Sequence, residues 1–509
     1  MSATLSESAP PAEAAAEVPK PETAARLAPA LPTDRWSSWL WALLVAAVAF
    51  VLRIIGLAHP DKVIFDEMYY AKDAKSLLDH GVELNEKNNG PGFVAHPPLG
   101  KWCIALGEQL FGYNSFGWRI SAVVAGTISV LILIRLARRM FGSTLLGCVA
   151  GVLMSLDGLH FVSSRVALLD VFLMLFLLAS FACLVVDRDQ RRAALKRAID
   201  DGADLTRGSP GLTWRTVPWW RLAAGVLAGC ALGVKWSAVW YIGAFVLLIL
   251  VWEAGSRRSA GIRHWVLDTI ATQLGWVALF GVLIVVTYLA TWTGWFVTDT
   301  GWDRQWAQST GEGSRFIPDA IENLWHYQQA VYKFHSTLTT AHPYQSTPWS
   351  WLFLGRPVAY YYESKGNCGA SACSAEVIAL GTPSLWWSFI PALVVTAWRW
   401  LSRRDWRAGS ILLVVAAGFV PWMFYPERTM FFFYALPTLP YLVLAVTLTL
   451  GVVLGPATAT FDRRLAGGIL SGVYVLIVGM TFVYFYPILT GKLITYAQWQ
   501  ARMWLDSWV

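Results

Sequence analysis

Long apolar runs separated by short polar stretches set the pattern of this chain. Eleven runs stand out, at residues 36–58, 117–136, 143–156, 167–186, 222–234, 236–252, 266–292, 384–400, 409–425, 430–450 and 466–486. Runs of about 20 apolar residues can cross a hydrocarbon core of roughly 30 Å as helices. The pattern predicts an all-α polytopic membrane protein with about 11 transmembrane helices. No solenoid-type repeat interrupts it.

The polar stretches give an orientation. "RLARRM", "DRDQRRAALKRAID", "EAGSRRSAGIRHW", "SRRDWR" and "FDRRLAGG" are all basic, and they fall on one side of the membrane. Basic short loops stay cytoplasmic. The N-terminus is therefore expected inside, and the stretches 59–116, 293–383 and 487–509 outside. Residues 1–34 are rich in Ala, Pro and Glu and lack the apolar core of a signal peptide, so a disordered cytoplasmic segment is expected there. The remaining organisation reads as an N-terminal transmembrane module (35–292) carrying an outer loop (59–116), an outer cap (293–383), a four-helix membrane module (384–486) and an outer tail (487–509).

Composition agrees. Of the 509 residues, 56% are hydrophobic and only 14% charged, and the mean hydropathy is +0.47. A soluble domain rarely carries so few charges. The 29 Trp and 18 Tyr suit membrane interfaces and lipid contact. The net charge of +7 lies mostly in the inside loops, with no basic arm interleaved with aromatics, which argues against nucleic acid as a partner. Cys103, Cys148, Cys183 and Cys230 lie in or beside the spans. Cys368 and Cys373 lie in the outer loop "GNCGASACS", where a disulfide is expected.

The candidate chemistry gathers at the outer face. Asp66 and Glu67 are adjacent carboxylates in "HPDKVIFDEMYYAKDA". The same loop continues to "PGFVAHPPLGKWCIAL", with His96 and Lys101. Arg53 and Arg119 stand at the outer ends of the first two runs. "SLDGLHFVSSRVALLD" adds Asp157, His160, Arg165 and Asp170, with Asp170 read either as a site carboxylate or as half of a buried pair. Lys235 lies at an outer hinge, and Glu427 and Arg428 at the mouth of the tenth run. Single boundary cations usually snorkel to headgroups. Several around one acidic pair fit a lipid-linked phosphate, whose charge they hold while its chain stays in hydrocarbon. A carboxylate beside it could take a proton from an acceptor hydroxyl. No P-loop, dinucleotide fingerprint, H-E-x-x-H or C-x-x-C is present. Adjacent carboxylates are compatible with a divalent cation, though no ligand set of usual spacing is visible and the metal requirement stays unknown.

These segments resemble the protein O-mannosyltransferases. "FDEMYYAKDA" followed by "HPPLGKW" is similar to that family's first luminal loop. "SSRVALLD" is similar to its S-R-x-x-L-L-D segment, and "ERTMFFFYALPTLPY" to its late F-x-Y-x-L-P span. The resemblance runs in family order over most of the membrane chain. It implies the GT-C glycosyltransferase architecture with a catalytic first outer loop. It implies an inverting transfer of mannose from polyprenyl-phosphate-mannose to Ser/Thr of unfolded exported polypeptides, near the translocon, at the outer face of the cytoplasmic membrane. It makes Asp66 the base and Glu67 a supporting acid, while Arg428, Lys235, Arg53, Arg119, Arg165, His96 and Lys101 are the candidates for the donor phosphate. The stretch 293–383 is too short for the family's large luminal β-rich insert, so a bacterial member with a compact cap is expected.

Two other readings stay open at this level. One is a related GT-C transferase moving another polyprenyl-phosphate-linked sugar to a glycan or lipid. The other is a transporter, which would place polar groups and broken helices at mid-membrane, whereas here they cluster at one face.

Overall fold

The computed structural model describes residues 26–28, 35–85, 90–206, 208–210 and 217–509. The expected disordered segment 1–34 lies almost wholly outside the described residues.

Each of the eleven apolar runs coincides with helical structure. α1 (Arg35–Ile54) leads to the outer loop, which is itself folded: α2 (Glu67–His80), a short ribbon of β1 (Leu84–Asn85) with β2 (Gly90–Pro91), and α3 (Leu99–Phe111). α4 (Ser115–Phe141) starts at Asn114, whose side chain accepts from the Phe116 and Gly117 amides, and ends at Gly142 with φ +65°. α5 (Thr144–Ser155), short α6 (Gly158–Ser163), α7 (Asp170–Asp200), α8 (Trp219–Leu232), α9 (Ala238–Ser259) and α10 (Trp265–Thr291) follow. The stretch between α10 and the next long helix holds α11 (Thr293–Val297), α12 (Trp306–Thr310), α13 (Asp319–Thr337), α14 (Pro348–Trp351), β3 (Val358–Glu363) and β4 (Cys373–Ala379), here called the cap. The chain ends with α15 (Pro383–Arg403), α16 (Trp406–Phe419), α17 (Leu439–Leu454), α18 (Phe461–Leu489), β5 (Ile494–Thr495) and α19 (Tyr496–Gln500).

Among the described residues, eight helical segments are long and apolar enough to cross a membrane; α5, α8 and α15 are not among them. Two of those, α5 and α8, have 12 and 14 residues, which at 1.5 Å per residue fall short of the hydrocarbon thickness. The protein is a multi-pass membrane protein. The 3₁₀ segment Phe432–Thr438 running into α17 is its most enclosed span, with 78% of its apolar window buried, whereas α10 and α18 bury 11% and 17% of theirs. Apolar side chains exposed along α10 and α18 suit lipid rather than water.

One continuous hydrophobic core runs from Ala42 to Trp508. The two membrane modules expected from the sequence therefore share an interior. Asp157 ties them together: its carboxylate accepts from the His160 amide and from the Trp386 indole, at 2.8 and 2.6 Å.

The cap and the tail are also one unit. β3, β4 and β5 form a three-stranded antiparallel sheet, so the tail supplies a strand. The Trp499 indole donates to Glu376 at 2.6 Å, and the Trp508 indole to the Leu354 carbonyl at 2.6 Å. This small sheet, to which the tail contributes, stands beside an otherwise helical protein, as the all-α expectation has it. Cys368 and Cys373 are bonded at the turn between β3 and β4.

Candidate active site

Two neighbouring carboxylates have opposite fates. Glu67 is fully buried, and both its oxygens are engaged: Oε1 accepts from Arg119 Nε (2.8 Å) and the Ala167 amide (3.0 Å), Oε2 from Arg119 Nη2 (2.8 Å) and the Ile64 amide (3.0 Å). The remaining Arg119 donors go to the carbonyls of Leu57, Pro60 and Lys62. All five N–H groups of that guanidinium are therefore used within the protein. Glu67 staples the start of α2 to α4 and to the segment before α7.

Asp66 occupies the N-cap position of α2, yet its side chain makes no capping bond. It is half-buried and faces the Lys235–Asp170 pair. Burial pushes its carboxyl up to about 6, with Asp170 adding to the rise and Lys235 opposing it. The preceding residue, Phe65, has φ +48°, a left-handed conformation that a bulky side chain rarely adopts. Packing holds it there. The Phe65 ring stacks on Tyr360 at 4.8 Å and meets Phe433 and Phe431 edge-on at 5.8 and 6.3 Å.

The "HPPLGK" segment brings the rest of the loop to the same place. The Leu99 amide donates to the Gly233 carbonyl at 3.0 Å. A Cβ on Gly100 would lie 2.8 Å from Leu169 Cδ2 and 3.0 Å from Val234 Cγ1, so a larger residue would have to displace the Leu169 side chain for α3 to approach this closely. Lys101 then turns away from the site, to Glu83 and to Asp73.

A cavity of about 310 Å³ opens beside Asp170, and its walls include His96, Lys235, Tyr241, His335, Trp422, Arg428 and Tyr434. Lys235 Nζ donates to Asp170 Oδ2 at 2.7 Å and lies over the faces of Phe433 and Tyr434. Arg428 donates to the His335 carbonyl at 3.1 Å and to the Thr429 carbonyl at 3.2 Å, and packs on Trp422 and Tyr434. His335 Nε2 bonds the Ala95 carbonyl at 2.8 Å, and its ring stacks on His96 at 5.1 Å. Burial and the neighbouring cations hold His96 well below the usual imidazole range and push His335 down to about 4. Both rings are therefore neutral hydrogen-bonding groups at neutral pH. The cavity meets an apolar groove of about 530 Å³ between α9 and α16, and Trp240 and Tyr425 line both.

His96, Asp170, Lys235 and Arg428 thus line one cavity, and Asp66 lies close enough to feel the charges of Lys235 and Asp170. The other sequence candidates are committed elsewhere. Arg165 donates to the carbonyls of Arg53, Ile55 and Gly56. Arg53 bonds the Ala49 carbonyl at 3.0 Å and His160 Nδ1 at 2.7 Å. Arg53 and Arg165 tie the end of α1 to α6 and the residues after it, Arg119 and Lys101 brace the loop that follows α1, and none of the four lines the cavity. The suggestion of a divalent cation on the Asp66–Glu67 pair does not fit, because the oxygens of Glu67 are already occupied. No group of three or more potential ligands is found among the described residues. Sequence reading missed His335, Trp422 and Tyr434. Tyr434 sits inside a segment already singled out, but His335 lies on the amphipathic α13, with no local signal to separate it from a packing residue.

Residues 42–293 match the family model for dolichyl-phosphate-mannose-protein mannosyltransferase, and residues 320–508 match that for the C-terminal four-helix region of protein-O-mannosyltransferase. The chain is 43% identical over 491 residues to a polyprenol-phosphate-mannose–protein mannosyltransferase of Mycolicibacterium smegmatis (strain MKD8), covering 94% of each chain. It is 38% identical over 495 residues to that of Mycobacterium tuberculosis (strain H37Rv), covering 94% of this chain and 93% of the other. Its fold is similar to the Saccharomyces cerevisiae Pmt1–Pmt2 complex bound to the sugar donor, with TM-score 0.71 and 15% identity over 95% of this chain and 94% of that one. Likeness to ArnT from Cupriavidus metallidurans is weaker, with TM-score 0.51 and 16% identity over 92% of this chain and 72% of that one.

Proposed function

The chain belongs to the protein O-mannosyltransferase family, and from that premise we propose that it moves mannose from polyprenol-phosphate-mannose to Ser or Thr hydroxyls of exported polypeptides. It is a membrane glycosyltransferase of the GT-C architecture. In this reading it sits in the cytoplasmic membrane with its N-terminus inside, and the site opens on the outer face. The basic inside loops support that orientation.

One observation carries the reading of the site: Asp66, unbonded and raised to about 6, stands beside a cavity walled by Lys235 and Arg428. The chemistry follows from those groups. A Ser or Thr hydroxyl is a poor nucleophile at neutral pH. Asp66 takes its proton as the oxygen attacks C1 of the mannosyl group. The C1–O bond to phosphate breaks with its electron pair, leaving polyprenyl phosphate with one more negative charge. Attack opposite the phosphate inverts C1. A carboxyl of pKa about 6 remains about nine-tenths ionised at pH 7 and is a stronger base than an ordinary aspartate. Arg428 and Lys235 stabilise the growing phosphate charge, so they lower the barrier more than they tighten the ground state. The neutral His96 supplies a hydrogen bond to phosphate or sugar, while His335, whose Nε2–H is given to the Ala95 carbonyl, turns Nδ1 to Arg428 and helps to hold that guanidinium. The apolar groove between α9 and α16 offers the prenyl chain a path into the bilayer. Glu67 positions the loop and takes no part in proton transfer.

The test is transfer by the purified protein in lipid nanodiscs. Polyprenol-phosphate-mannose and a Thr-containing peptide should give a mannosyl peptide with inverted C1. Transfer to a lipid or glycan acceptor with none to peptide would reject the assignment.

A further inference from the structure

We infer that the acceptor polypeptide binds as an added β-strand on the free edge of β3, with its Ser or Thr turned toward Asp66; this rests on the mannosyltransferase reading above. Among the described residues the sheet has the order β3–β4–β5, so β3 has a strand on one side only. β4 is buried along its whole length, whereas β3 alternates between buried and more exposed positions, as expected of an outer strand. An edge of this kind presents unpaired N–H and C=O groups that an extended chain can complete.

The position of β3 is what gives the edge a function. Tyr360 packs face to face on Phe65, the residue before Asp66. Lys62 bonds Glu363 at 3.1 Å and covers the Tyr361 ring at 4.9 Å, so the segment leading to Asp66 runs along this strand. Phe433 lies against both Phe65 and Tyr360 and, on its other side, against Lys235. The aromatic wall thus separates β3 from the donor cavity, with Asp66 beside it. Donor and acceptor approach from opposite sides.

The register shift at Tyr360 gives a second reason. It is an irregularity in the β3–β4 ladder, between Ala359 and Tyr361. Bulges twist a strand and re-aim a side chain, and they favour edges and active sites. Tyr360 is buried. Neighbouring strands lie about 4.8 Å apart, and paired residues on one face point the same way. An acceptor residue across from this point turns its hydroxyl to the face that holds Phe65 and Asp66. Recognition through backbone groups also suits an enzyme that must accept many sequences, because side chains contribute little to it.

The test uses the full-length protein in nanodiscs, polyprenol-phosphate-mannose and one Thr peptide carrying a single N-methyl group at successive positions. Each N-methyl removes one backbone donor. Strand addition predicts a period of two: KM rises about ten-fold at alternate positions around the Thr and stays near the parent value between them. Proline should be tolerated only at the insensitive positions. Uniform sensitivity, or none, overturns strand addition while leaving the transferase assignment intact. Failure of the unmethylated peptide to accept mannose removes both.

Discussion

Lys235 and Asp170 form a buried ion pair, 2.7 Å between Nζ and Oδ2, at the wall of the cavity that His96 and Arg428 also line. They come from the start of α7 and the hinge between α8 and α9. The pair joins two elements and sets the electrostatic surroundings of Asp66, since Lys235 favours its ionised form and Asp170 opposes it.

The pH dependence of transfer should expose that arrangement. Only ionised Asp66 accepts a proton, so kcat/KM should rise with pH through about 6 and level off above it. Asp170→Asn removes a negative neighbour and should move the rise to lower pH. Lys235→Met removes the favourable charge and should move it higher, with lower maximal turnover. A profile that is flat from pH 5 to 8 in all three proteins would show that no such base titrates.

Glu67 and Arg119 should behave as structural residues. Removing one member of a buried, fully bonded pair typically costs about 3–5 kcal/mol. Glu67→Gln and Arg119→Met should each lower the apparent unfolding temperature of the detergent-solubilised protein. The fraction that remains folded should bind donor normally. A loss of donor affinity without loss of thermal stability would instead make Arg119 a phosphate ligand.

Arg428 should act mainly on turnover. Its guanidinium is held by the carbonyls of His335 and Thr429 and by two aromatic faces, so it is aimed before donor arrives. Arg428→Ala should lower kcat at saturating donor by about 10²-fold or more, in the range seen when one charge-stabilising group is lost. If only the apparent KM for donor rises, the residue is a binding contact.

These outcomes also mark what was legible in the sequence. The apolar helical runs and the two adjacent carboxylates after the first of them were visible because hydropathy and charge placement are local properties. The roles of Glu67 and Asp66 were not separable, because the difference lies in Arg119, 52 residues away, and in the Ala167 amide, 100 residues away. The same holds for Lys235: a lone lysine at a hinge gives no sign of the Asp170 carboxylate, 65 residues away, that bonds it at the cavity wall. The cap sheet escaped notice because β5 has two residues, and its pairing with β4 leaves no periodic signal.

The cap gives a topological test. The Cys368–Cys373 bond should lie outside the cell and the helical extension around Arg191 inside. Cysteines placed by substitution at Arg191 should resist a membrane-impermeant maleimide in intact cells. The native loop should be labelled only after reductant. Labelling at residue 191 in sealed cells would invert the orientation and put Asp66 on the wrong side for exported acceptors.

The most direct measurement is single-turnover transfer by Asp66→Asn. The substitution keeps the shape of the side chain and removes its basicity. The variant should bind polyprenol-phosphate-mannose with wild-type affinity, remain folded, and transfer mannose to a Thr peptide about 10² to 10⁴ times more slowly. Transfer within a few-fold of wild type, in protein shown to be folded and loaded with donor, would contradict Asp66 as the base.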